Sequence, residues 1–92
     1  MYSIVFGNRI LRESLGLVPA KSPAAQLLQL GKNIARLRSR AQRTQEEVAE
    51  QIGVSSRYYQ SVEAGRYFPS LPVLMALRAA LKCTWDELFR SL

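Results

Sequence analysis

The sequence has no histidine and one cysteine, Cys83, in 92 residues. Without histidine it lacks the commonest general base and the commonest zinc ligand. A single thiol forms neither an internal disulfide nor a thiolate metal cluster. Acidic residues are few, 7 against 13 Lys and Arg, which leaves a formal charge of +6. No apolar run approaches the ~18 residues of a membrane span. The opening MYSIVFGNRILRESLG lacks the basic-then-apolar order of a signal peptide. There is no glycine-rich phosphate loop and no metal-ligand spacing. Glu46, Glu47 and Glu50 lie on one helical stretch and read as an exposed face rather than a catalytic pair. These absences point away from an enzyme, a metal or cofactor site and a membrane protein, and they predict a cytoplasmic location.

What remains is globular composition, 48% hydrophobic and 22% charged, unlike that of a disordered chain. Ninety-two residues accommodate one small domain with a short appendage. The basic excess suits a polyanion such as nucleic acid, or less often an anionic membrane surface.

The first segment, Met1 to Lys21, is ambiguous. Met1, Ile4, Leu11 and Leu15 could share a helical stripe, while Tyr2–Phe6 could equally form a short strand. Gly16 and Pro19 then read as a stop. Ser22-Pro23 reads as a helix start, a hydroxyl cap followed by a residue whose φ is already helical. From there Leu27, Leu30, Ile34 and Leu37 recur at steps of three and four, interleaved with Lys32, Arg36, Arg38 and Arg40. The basic residues of this stretch suit either a polyanion or an ordinary solvated face. Thr44 with Glu47 three residues on has capping-box spacing and opens a second helix, ended by Gly53. Ser55 caps a third helix, Ser56 to Ala64. Pro69-Ser70 precedes a fourth, Leu71 to Leu81, carrying Leu74, Met75, Leu77 and Leu81. Thr84 and Glu87 again have capping-box spacing, for a last short helix with Trp85, Leu88 and Phe89. No alternating β pattern follows Pro23. The expected fold is all-α.

The second and third helices are joined by Gly53-Val54-Ser55, and two short helices around a glycine-containing turn form a helix-turn-helix. The blocks Thr44-Gln45-Glu46-Glu47-Val48-Ala49, Ile52-Gly53-Val54-Ser55, Val62-Glu63-Ala64-Gly65-Arg66, Pro69-Ser70-Leu71 and Trp85-Asp86-Glu87-Leu88-Phe89 resemble the Cro/Xre family of helix-turn-helix DNA-binding domains. The resemblance runs from about Leu30 to Phe89. It implies a compact five-helix bundle over residues 30–92, preceded by an N-terminal extension, residues 1–29, of uncertain structure. It also implies that Ser56–Ala64 lies in the major groove of double-stranded DNA. Gln45 would touch phosphate and brace that helix, while Ser56, Arg57 and Ser61 match positions that reach base edges. Ser55, Tyr58, Arg66 and Arg43 complete the expected DNA-binding set. Arg38 and Glu63 match a pair of residues joined by an ion pair inside the domain, which assigns Arg38 to architecture. Tyr67 and Phe68 are read as loop packing rather than as base-stacking residues, and Cys83 as a small packed apolar residue.

Four departures from the family pattern stand out. Ala41-Gln42-Arg43 replaces a glycine-then-apolar turn, which leaves Arg43 to face phosphate or core. Tyr59 occupies an aliphatic core position. Arg78 stands where a small residue packs, and Lys82 where glycine caps. The function implied is a transcription regulator, most simply a repressor binding a two-fold operator as a homodimer, because one recognition helix contacts few base pairs. The alternative is an antitoxin or other interaction module with secondary DNA binding, holding a partner protein through residues 1–29 or the surface bearing Arg78 and Lys82.

Overall fold

The structure, a computed structural model, describes residues 21–92. The expectation that Ile4, Phe6, Ile10, Leu11 and Leu15 pack on the bundle or on a second copy lies outside the described residues. Within them all regular structure is helical: α1 (Pro23–Arg40), α2 (Gln45–Ile52), α3 (Ser56–Glu63), α4 (Leu71–Leu81) and α5 (Trp85–Leu88). The first turns of α1 fall before residue 30, so part of the expected extension is continuous with the bundle.

Local chemistry sets where these helices begin. The hydroxyls of Ser22, Ser55 and Ser70 accept from the backbone N–H of Ala25, Tyr58 and Val73. Thr44 and Thr84 form full capping boxes with Glu47 and Glu87. Each cap satisfies a donor that the helix itself cannot, worth about 1 kcal/mol. The ends depend less on glycine than the sequence suggests. Gly53 closes α2 at φ 80°, but Lys82 takes the same left-handed conformation after α4 at φ 52°, and Gln42 does so between α1 and α2 at φ 58°. Around Gln42, Arg38 compensates. Its Nη1 donates to the Arg43 carbonyl at 2.9 Å, and its own carbonyl accepts from the Arg43 N–H at 3.2 Å. The third helix stops one residue short of the expected span, with Ala64 as its cap.

The core joins Leu30, Ile34 and Leu37 of α1 to Val48 and Ala49 of α2, Tyr59 and Val62 of α3, Leu74, Leu77 and Leu81 of α4, Leu88 of α5, and Cys83. On α4, Met75 does not join Leu74 and Leu77 inside; it is exposed, as is Leu71. Residues 71 and 75 lie roughly 100° around the helix from the centre of the stripe formed by 74, 77 and 81, since each residue advances the helix by 100°. Burial pushes the Cys83 thiol pKa up, which makes it inert packing rather than a ready thiolate.

Two residues of α1 fix its neighbours. Asn33 is fully buried. Its Nδ2 donates to the carbonyls of Leu88 at 2.8 Å and Arg90 at 2.9 Å, and its Oδ1 accepts from Gln29 and Arg36. One side chain thus ties the end of the chain to the first helix. Two residues earlier, Gly31 meets the end of α3 so tightly that a Cβ there would collide with the Glu63 carbonyl oxygen.

Candidate nucleic-acid interface

The turn between α2 and α3 is held from both ends. The Val54 N–H donates to the Ala49 carbonyl at 3.0 Å, and the Val54 side chain packs against the core. Ser55 then starts α3 with its hydroxyl on the Tyr58 N–H at 3.0 Å. Burying Tyr59 and Val62 fixes the rotation of α3 about its axis. Arg57 and Gln60 are consequently exposed, with Ser56, Tyr58 and Ser61 half-buried along their flanks.

A polar junction fixes the far end of α3. Arg38 Nε donates to Glu63 Oε2 at 2.7 Å and Arg38 Nη2 to Glu63 Oε1 at 3.2 Å. Gln45, the first residue of α2, donates through Nε2 to Glu63 Oε1 at 2.9 Å. Glu63 therefore receives a donor from each of the two helices that flank α3. Burial alone would push its carboxyl pKa up, but the Arg38 guanidinium and the neighbouring donors outweigh it and hold it below the ordinary value. The Tyr59 hydroxyl is buried beside this cluster without a well-formed hydrogen bond, and burial raises its pKa far above the usual phenol range. A neutral phenol there leaves the ion pair intact.

The predicted DNA-binding residues separate into groups. Ser55, Arg57, Tyr58 and Ser61 line one open hollow of about 450 Å³, together with Tyr67. Ser56 is half-buried at the start of α3, and Arg66 is exposed just beyond its end. Gln45 lies at the Glu63 junction. Arg43 turns away from the core and along α2, where its Nη2 donates to Gln51 Oε1 at 2.6 Å. Tyr67 and Phe68 are not packed away in their loop. They are 56% and 66% exposed, and the Tyr67 ring stacks on Tyr58 with centroids 6.1 Å apart and planes 13° from parallel. Tyr67 and Gln60 thus join the outward surface without having been expected there. Helical spacing from Arg57 could have found Gln60; the position of Tyr67 depends on how the loop folds back. Among the described residues no carboxylate lies within ion-pair distance of Arg57, no group of side chains is arranged to hold a metal, and no helix is long and apolar enough to cross a membrane.

Two short helices crossing at a glycine turn, the second with one side locked and the other open, define a helix-turn-helix protein. The sequence profile of the helix-turn-helix domain matches residues 29–92, and the chain belongs to that family. Over 59 residues it is 42% identical to an uncharacterized HTH-type transcriptional regulator, y4dJ, of Sinorhizobium fredii (strain NBRC 101917 / NGR234), a match spanning 64% of this chain and 77% of the relative. No solved structure matches the chain.

Proposed function

We propose that this protein is a sequence-specific, double-stranded DNA-binding transcription regulator of the Cro/Xre type, acting as a repressor that binds a two-fold operator as a homodimer and places α3 in the major groove. The observation that carries this reading is the division of α3 into a side fixed by Tyr59, Val62 and Glu63 and a side that presents Arg57, Gln60 and Ser61. A helix held rigidly on one side and open on the other is what direct readout requires. The formal charge of +6 supplies the attraction to phosphate that any such protein needs. The relative named above as a transcriptional regulator supports the same class.

Within this reading Arg57 reads guanine, since its fork matches the O6 and N7 acceptors, and Arg66 meets the phosphate backbone. Binding of matched and singly mismatched duplexes at two salt concentrations tests the assignment. In Arg57→Ala, discrimination at one position per half-site should fall by about 1–3 kcal/mol while nonspecific binding persists. In Arg66→Ala, all duplexes should weaken alike, and the log–log salt slope should shrink by about one unit for each phosphate that Arg66 neutralises. Uniform weakening in Arg57→Ala would make it a phosphate clamp instead.

A second reading, an interaction module with secondary DNA binding, is favoured by the exposed Phe68, Leu71 and Met75, an apolar surface of the kind that partners cover. A protein that co-purifies in fixed ratio and is absent with Phe68→Ser would favour it.

A further inference from the structure

We propose that the stacked pair Tyr58 and Tyr67 is a specificity element, the wall of a site that receives the 5-methyl group of a thymine next to the base met by Arg57. The inference rests on the DNA-binding reading above and adds to it a base, the residue Tyr67 and a role for Tyr58.

The observations are geometric. Tyr58 is half-buried and packs against the core, so its ring is a fixed support. Tyr67, from the loop after α3, lies almost parallel to it and remains more than half exposed. The stack therefore holds an exposed loop ring in one position, an arrangement that offset aromatic pairs favour. Together the two rings border the hollow whose other walls are Arg57, Ser55 and Ser61. Among the described residues the lining is two aromatic rings, two hydroxyls and one cation, with no carboxylate. It opens outward on the side of α3 that carries the reading residues, where the edge of a base pair can reach it.

The chemistry of the groove selects the occupant. Thymine alone among the four bases carries a methyl group in the major groove, and apolar side chains recognise it by contact. An arginine fork beside an aromatic wall suits a guanine with a neighbouring thymine. Tyr58 is backed by the core and Tyr67 lies nearly parallel beside it with centroids 6.1 Å apart, so together they offer an apolar surface to a methyl. The remaining role for Tyr67 is a phosphate contact through its hydroxyl, and Tyr67→Phe separates the two, since phenylalanine keeps the wall and removes the hydroxyl.

The test uses the full chain. A preferred duplex is selected from a random pool, and each thymine is replaced singly by deoxyuridine, which pairs identically but lacks the methyl. One thymine per half-site, beside the guanine whose preference disappears in Arg57→Ala, should weaken binding about three- to five-fold on replacement, the worth of burying one methyl. Tyr67→Ala should bind the thymine and uracil duplexes equally, at the level of the unaltered protein on uracil, and Tyr67→Phe should retain the difference. Equal binding of both duplexes by the unaltered protein overturns the proposal, as does a thymine preference that survives Tyr67→Ala. Loss of the difference in Tyr67→Phe would show that the hydroxyl, not the ring, distinguishes the duplexes and would overturn it too. Failure of the pool to yield any preferred duplex would refute the sequence-specific reading itself, and this site with it.

Discussion

Replacing Glu63 with glutamine removes one negative charge from the meeting point of α1, α2 and α3 while leaving its shape. The Glu63 side chain is 7% exposed and that of Arg38 19%, so neither charge is well served by water. Breaking a buried pair from one side costs about 3–5 kcal/mol. Arg38 keeps its bond to the Arg43 carbonyl and some solvent, which places the loss near the lower limit, about 3 kcal/mol. For a domain of this size each kcal/mol moves Tm by roughly 4–8 °C, so Glu63→Gln should melt on the order of 12–24 °C lower at pH 7. The pH dependence follows from the lowered carboxyl pKa. A folded-state pKa below the ordinary value of 4.5 means the stabilisation is fully present above that value and is lost as pH falls through the folded pKa. Glu63→Gln has no such titration, so the gap between the two proteins should be constant at neutral pH and narrow below about pH 4.5. Urea unfolding followed by far-ultraviolet circular dichroism, at intervals from pH 7 to pH 3, measures it. Equal midpoints at pH 7, or a gap that stays constant to pH 3, would refute the claim that this ion pair secures α3.

Two further substitutions probe how α1 holds its neighbours. Gly31→Ala places a Cβ against the backbone at the end of α3, where no side-chain rotation relieves the clash; the unfolding midpoint should fall by roughly 1–3 kcal/mol equivalent, and the folded protein should bind its preferred duplex more weakly because α3 is displaced, with an unchanged midpoint counting against this close approach. Asn33→Leu leaves the buried Leu88 carbonyl without its donor, a loss of about 1–3 kcal/mol; amide hydrogen exchange should accelerate first in α5, and uniform acceleration across the bundle would show that Asn33 is not a local pin.

Features set by neighbours in the sequence were the readable ones. The hydroxyl caps and both capping boxes depend on residues three apart, and the buried stripe of α1 follows from helical period alone, so each could be placed before the fold was known. Met75 shows the limit of that reasoning: period predicts which side is apolar, but not how wide a strip the neighbouring helices cover. The turns at Gln42 and Lys82 stood out only as departures from a glycine pattern, and their left-handed conformation was not legible from local spacing. Glycine is favoured there by backbone energy, but hydrogen bonds elsewhere can hold other residues in the same conformation, as Arg38 does beside Gln42. Arg38 itself looks like one more basic surface residue, and only the resemblance, which pairs it with a residue 25 positions on, assigns it to the interior. At the candidate interface, Arg57 and Ser61 were legible from their places on one short helix. Tyr67 was not, since its position depends on a loop folding back across that helix. Asn33 and Gly31 were missed because their roles are defined wholly by what packs against them.

The single acidic residue that secures the end of α3 is engaged by Arg38 and Gln45, while Arg57 and Gln60 of the same helix are exposed. Substitutions at exposed positions of this kind usually change stability by less than about 0.5 kcal/mol. The codons of Arg57 and Gln60 are therefore open to drift and selection in a way that Gln45, Arg38, Tyr59 and Glu63 are not. After a gene duplication, one copy could acquire a new target in a few mutational steps without passing through an unfolded intermediate. A designer could take the same route, exchanging the outward residues as a cassette and leaving the anchoring ones as a constant frame.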